Sequence, residues 1–120
     1  MAGTALHPIV IGPAPGRVRV TFAGQVIADS SQALLLREAS YRPVAYIPRE
    51  DVQMAMLVRT DRKSVCPYKG EASYFSIHAG GRVAENAVWS YERPLPDVAE
   101  IAGCLAFYPN KVDSMDGLPL

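Results

Sequence analysis

Turn-forming residues recur along this chain at short spacing, and the runs between them have the character of strands. Arg17-Val18-Arg19-Val20-Thr21-Phe22 alternates strictly, so Val18, Val20 and Phe22 share one face and Arg17, Arg19 and Thr21 the other. That pattern predicts a half-buried strand. Ala23-Gly24 then predicts a hairpin into Gln25-Val26-Ile27-Ala28, closed by the turn formers Asp29-Ser30-Ser31. Ala33 to Glu38 suits helix or strand by propensity, and its shortness, with Ser40 and Pro43 following, favours a strand. Val44-Ala45-Tyr46-Ile47 reads as a strand by its β-branched and aromatic content, and Pro48 ends it.

Farther along, Pro48-Arg49-Glu50-Asp51 predicts a single helical turn, because proline suits the start and acids complement the exposed amides there. Met54 to Val58 reads as an apolar strand and Arg59 to Ser64 as a polar loop. Ala72 to Ile77 and Arg82 to Tyr91 flank the Gly-rich turn His78-Ala79-Gly80-Gly81, a hairpin signal. In the second run, alternation puts Val83, Glu85, Ala87, Trp89 and Tyr91 on one face, which suits a pocket wall as well as a core. Asp97-Val98-Ala99-Glu100 is a capping-box pattern with Gly103 as a stop, predicting one short helix near residues 97–103. Leu105 to Tyr108 reads as a closing strand. Seven or eight short strands with one short helix indicate a mostly β, single-domain barrel or sandwich rather than a βαβ nucleotide-binding fold.

The expected organisation is an N-terminal arm over residues 1–16, a β domain over 17–113 and a tail over 114–120. The arm holds three prolines and three glycines without a sustained period. With 120 residues there is room for one core. Twelve basic residues balance twelve acidic ones, which removes the electrostatic footprint of general nucleic-acid binding. No apolar run approaches the roughly 20 residues that cross a bilayer. The N-terminus lacks the basic head and apolar core of a signal peptide, so the expectation is a soluble, cytoplasmic protein without a membrane partner.

Chemistry-bearing residues are few. Cys66 and Cys104 have no C-x-x-C partner, so a zinc-ribbon site and a disulfide are both disfavoured, and no metal or other cofactor is expected. Cys104 sits in an apolar stretch that suits burial. Cys66-Pro67-Tyr68-Lys69-Gly70 places a thiol, an aromatic and a cation in five residues that proline and glycine can fold into a defined turn. A lysine beside the sulfur would favour the nucleophilic thiolate; the bland alternative is a cysteine that caps the core beside a solvated lysine. The acidic residues offer no Asp-x-Asp pair for magnesium, and no Gly-rich phosphate loop is present, which disfavours nucleotidyl transfer. His7 and His78 read as surface residues, in the arm and at a hairpin turn.

Five blocks resemble the DUF427 family in order along nearly the whole chain. They are Arg17-Val18-Arg19-Val20 with Val26 to Ser30, then Tyr46 to Val52, Cys66 to Tyr74, Glu85 to Tyr91, and Ile101-Ala102-Gly103 through Phe107-Tyr108. The resemblance implies a compact, mostly β fold of the Mss4-like kind. Its functional implication is thin, because the family is a domain of unknown function that is sometimes labelled nucleotidyltransferase. The residues it carries over as a candidate site are Arg37, Glu38, Tyr46, Glu50, Cys66, Lys69, Tyr74, Glu85, Asn86 and Trp89, with Tyr68 from the same motif.

The leading expectation is therefore a pocket for a small polar or anionic metabolite. Arg37, Tyr46, Glu50, Tyr68, Tyr74, Asn86 and Trp89 would bind it. If the protein is an enzyme, Cys66 or Lys69 would attack and Glu38 or Glu85 would handle protons. The competing expectation is a non-catalytic interaction module or a homodimer built on paired β edges.

Overall fold

The computed structural model describes residues 2–4 and 6–118. In chain order the strands are β1 (Ala2–Gly3), β2 (Pro8–Pro13), β3 (Val18–Phe22), β4 (Gln25–Ser30), β5 (Leu34–Glu38) and β6 (Val44–Tyr46). They continue with β7 (Leu57–Cys66), β8 (Gly70–Ala79), β9 (Arg82–Ser90), β10 (Ala106–Phe107) and β11 (Ser114–Asp116). Three sheets result, ordered β1-β2-β5-β6, β10-β9-β8-β7 and β11-β3-β4, with antiparallel pairing throughout. The architecture is mostly β, compact and sandwich-like, and no sheet closes into a barrel. Among the described residues no helix is long and apolar enough to cross a membrane.

The long β8–β9 hairpin forms the central layer, and its two faces are covered by different sheets. On one face Phe75, Ile77 and Val88 meet Val18, Val20 and Ile27 of the β11-β3-β4 sheet. On the other, Ala72, Tyr74 and Tyr91 meet Ile9, Leu36 and Tyr46 of the β2-β5-β6 layer. The first and second sheets join at one bridge, Ile47 with Leu105, whose amides and carbonyls exchange hydrogen bonds of 2.8 Å. Beside that bridge, Val44 and Ala45 of β6 and Phe107 of β10 border a hollow described below.

The 17–22 strand, the Ala23-Gly24 hairpin, the strands at 34–38 and 44–46 and the β8–β9 hairpin all form where the sequence places them. Both two-residue turns have the positive φ that type I′ geometry demands, at Ala23 (52°) and Gly24 (74°), and at Gly80 (56°) and Gly81 (76°). Other expectations need correction. The run expected as an arm contains β2, which pairs with β5 from Ile9 to Pro13, and Ile9 is fully buried. Proline and glycine punctuation hid this strand, although Ile9-Val10-Ile11 carries the β-branched signature. The run expected as a tail contains β11, which adds an outer strand to β3. There Asp113 pairs with Arg82 at 2.9 Å and accepts the Ala23 amide at 2.7 Å.

Arg59 to Ser64, expected as a loop, lies inside β7. This strand forms the outer edge of its sheet, and a register shift between Arg59 and Lys63 leaves residues 60–62 opposite Tyr74. Charged side chains at an edge and a bulge are compatible with strand geometry, so polarity alone misleads here. Met54 to Met56, expected as strand, form a 3₁₀ turn before β7 begins. The helix expected near 97–103 is a kinked 3₁₀ segment, Pro96–Ile101. Pro96 occupies its start and Asp97 makes no capping hydrogen bond, so the capping-box reading fails in detail.

Candidate functional site

Where β5, β6, β8 and β9 come together, a cleft of about 260 Å³ opens between the first sheet and the central hairpin. Its floor is charged. The Lys69 ammonium donates to Glu38 Oε1, and the other oxygen, Oε2, meets His7 Nε2 at 2.6 Å. Lys69 is only 7% exposed, so this is an ion pair largely withdrawn from water. Burial works against the Glu38 carboxylate, but the hydrogen bonds from Lys69 and His7, with their charges, outweigh it and hold its pKa below the ordinary value.

The Cys66-to-Gly70 segment places this lysine. Its turn is closed by the Lys69 amide donating to the Cys66 carbonyl at 3.3 Å, and the Lys69 carbonyl accepts the Leu95 amide at 2.9 Å. Gly70 leaves the turn at φ 110°, a backbone conformation that side chains disfavour, with the Arg93–Leu95 backbone packed beside it. Tyr68, between them, stacks on the His7 ring with centroids 4.1 Å apart and planes 7° from parallel. The motif thus grips the first sheet at two points, through Tyr68 on His7 and Lys69 on Glu38.

The walls are aromatic. Tyr46 and Trp89 meet edge to face at 6.4 Å, and the indole N–H donates to the Tyr46 hydroxyl at 3.3 Å. Trp89 also packs on Tyr108 at 4.5 Å. Burial raises the pKa of the Tyr46 phenol well above the usual tyrosine range, against the Trp89 hydrogen bond and helped by the Glu38 charge. Burial likewise raises Tyr91. Both therefore keep their protons at neutral pH. Burial, with Tyr74 beside it, pushes Tyr108 up to about 12. Tyr74 moves the other way: burial opposes ionisation, but hydrogen bonds from Ser64, Tyr108 and Arg62, and the Arg62 charge, lower its pKa. The Arg62 guanidinium lies over the Tyr74 ring at 4.9 Å. At the mouth Arg42 is exposed and forms no ion pair among the described residues.

Of the residues the sequence singles out, Glu38, Tyr46, Lys69, Tyr74 and Trp89 line this cleft, and Tyr68 stands behind it on His7. Cys66 is half-buried against the apolar cluster that contains Tyr46 and Tyr91, and it does not line the cleft. Arg37 lies on β5 next to Glu38 in sequence, hence on the opposite, exposed face. Glu50 is exposed on the 3₁₀ turn Arg49–Asp51. Glu85 and Asn86 sit in a bulge, where residues 85–87 stand opposite Ser76. Asn86 adopts φ 50° there, its amide donates to Ser76 Oγ at 3.0 Å and its Oδ1 accepts from Thr60 at 2.7 Å, while Glu85 faces solvent. The face that alternation assigned to Glu85 and Trp89 together is broken by that bulge.

Sequence reasoning missed Arg42 and Tyr108, which line the cleft, and His7, which holds Glu38 from behind it, and it read Tyr91 only as part of a strand face. In sequence His7 reads as a surface residue of an arm; the run Pro8-Ile9-Val10-Ile11 is the signal that places it immediately before β2. Among the described residues no group of three or more His, Cys, Asp or Glu side chains is arranged to hold a metal ion. The cleft instead offers an ammonium, a carboxylate and several phenolic hydroxyls in one half-enclosed space.

A protein-family model described as a domain of unknown function, DUF427, matches residues 10–117. No curated protein matches the sequence.

Proposed function

The chain belongs to the DUF427 family, and from the geometry of its cleft we propose that it binds a small polar or anionic metabolite above the Lys69–Glu38 pair, which His7 braces from behind. The observation that carries this reading is the placement of Lys69, a cation only 7% exposed, at the bottom of an aromatic cleft. A buried ion pair adds little net stability, because desolvation offsets most of the attraction. Its use lies in a fixed charge that a ligand meets after losing water. Tyr46 and Tyr91 keep their O–H groups and donate to an acceptor, and the Trp89 and Tyr108 rings cover the apolar part of a small molecule.

In the catalytic form of this reading Lys69 adds to a carbonyl carbon of the ligand as the C=O π bond breaks toward oxygen, and Glu38, hydrogen-bonded to Lys69, relays the lysine proton to the resulting alkoxide. Cys66 is the alternative nucleophile, and it would have to reach the cleft from behind the Tyr46 and Tyr91 rings.

Calorimetric titration with a panel of small carboxylates and phosphates tests the binding. At least one should bind, and Lys69→Met, with its fold verified by circular dichroism, should weaken that binding at least tenfold. Binding that survives Lys69→Met unchanged, or a panel without a ligand, would remove the reading. Once a reaction is found, unchanged activity in both Lys69→Ala and Cys66→Ala would remove its catalytic form.

A further inference from the structure

A second hollow, of about 390 Å³, adjoins the first. It lies beside the Ile47–Leu105 bridge, where residues of β6 and β10 line it. Its walls differ in kind from those of the cleft: Pro43, Pro109, Met115 and Leu118 contribute apolar surface, backed by the buried Ala45 and Phe107. Arg42, Val44 and Trp89 belong to both hollows. The dividing wall is therefore one aliphatic side chain, one half-buried indole and one exposed guanidinium without an ion pair among the described residues.

We propose that the two hollows form one bipartite site, whose ligand carries an anionic head in the polar cleft and an unbranched apolar chain in the β6–β10 groove. The sign of the head follows from the charges that face it. Lys69 is matched by Glu38, and Arg42, without an ion-pair partner among the described residues, leaves a cation at the junction. The apolar chain follows from the groove, since Phe107, Met115 and Leu118 give a hydrocarbon surface and few polar groups to satisfy. Trp89, tied to Tyr46 by its N–H, keeps its ring at the junction, where the first carbons after the head would cross. This inference rests on the proposed anion binding in the cleft and adds the class of molecule bound.

The test is a calorimetric series of butanoate, hexanoate, octanoate and decanoate, with octylammonium as the charge control. Affinity should rise with each added methylene, by up to roughly fourfold where the carbon is fully buried, and octylammonium should bind at least tenfold more weakly than octanoate. Met115→Glu, which puts a charge into the groove from the outer strand β11, should abolish the gain with chain length. Leu118→Asn at the groove's end provides a second variant should Met115→Glu fail to fold. If butanoate binds and affinity is flat with chain length, the bipartite site is refuted while anion binding in the cleft stands. If none of the four binds, or octylammonium binds as well as octanoate, the inference falls. In the first of those cases a cleft that still binds other anions keeps the broader reading.

Discussion

Replacing Lys69 with methionine removes the ammonium and keeps most of the volume of its stem, so the main consequence falls on Glu38. In the native protein burial opposes the carboxylate, and Lys69 and His7 more than offset that cost. Its side chain is 14% exposed. Breaking a buried pair from one side costs about 3–5 kcal/mol when the remaining charge is wholly stranded. Here the 2.6 Å bond to His7 survives, and the carboxylate is not fully enclosed. A loss of about 2–3 kcal/mol at neutral pH is therefore expected. The sign with pH follows from Glu38. Its native pKa is depressed, so it contributes stability above its ordinary value of 4.5, and that contribution is lost as the pH falls through the folded value. In Lys69→Met burial raises the pKa instead, so the deficit should shrink on acidification as the carboxyl takes up a proton. Adding Glu38→Gln to Lys69→Met should recover at least half of the loss at neutral pH. Urea unfolding of the two single variants and the double variant closes the cycle. A Lys69→Met cost below about 0.5 kcal/mol, or a double variant no more stable than Lys69→Met, would show that the pair does not stand in the withdrawn environment described.

Other consequences are independent of the cleft. Ile9→Ala should cost about 2–5 kcal/mol in urea unfolding, because a fully buried residue of β2 is cut back; a cost below 1 kcal/mol would return this segment to the status of a loose arm. Glu92 is clamped by both Arg59 nitrogens at 2.8 Å and by Arg49 at 3.1 Å, and its pKa falls to about 2, chiefly through the Arg59 hydrogen bonds. Because the folded pKa is depressed, its contribution is present above the ordinary value of 4.5 and fades as the pH drops toward about 2. Solvent screens this exposed cluster, so Glu92→Gln should cost about 1 kcal/mol at neutral pH and nothing in strong acid. Cys66, half-buried, should be alkylated by iodoacetamide in the native protein, whereas Cys104, buried and with its thiol pKa raised by burial, should react only on unfolding. Equal native rates for the two would contradict the packing.

The strands that alternate cleanly, or that flank glycine turns, were legible because period and turn chemistry agree, as at Val18 to Phe22 and at Gly80-Gly81. The DUF427 resemblance was legible from blocks of residues and is matched by the family model. Elements decided by tertiary partners were not legible. β2 is held by its pairing with β5, β11 by its pairing with β3, and the polar stretch of β7 by its place at a sheet edge. The site was partly legible for the same reason. Alternation placed Trp89 and Tyr91 on one face correctly, but it could not see the bulge that turns Glu85 and Asn86 away. Glu38 and Lys69 were both named, yet their pairing spans two sheets and depends on the turn at Cys66 to Gly70. His7 enters only through the strand that follows it.

Trp89 is the chain's single tryptophan and lines both hollows, so its fluorescence reports occupancy of the site directly. Titration with octanoate should give a saturable change in emission that is lost in Lys69→Met and retained in Arg37→Ala, whose side chain faces away. No saturable change in the native protein would contradict the bipartite site, and the same change in Lys69→Met would contradict the claim that Lys69 makes this cleft an anion-binding site.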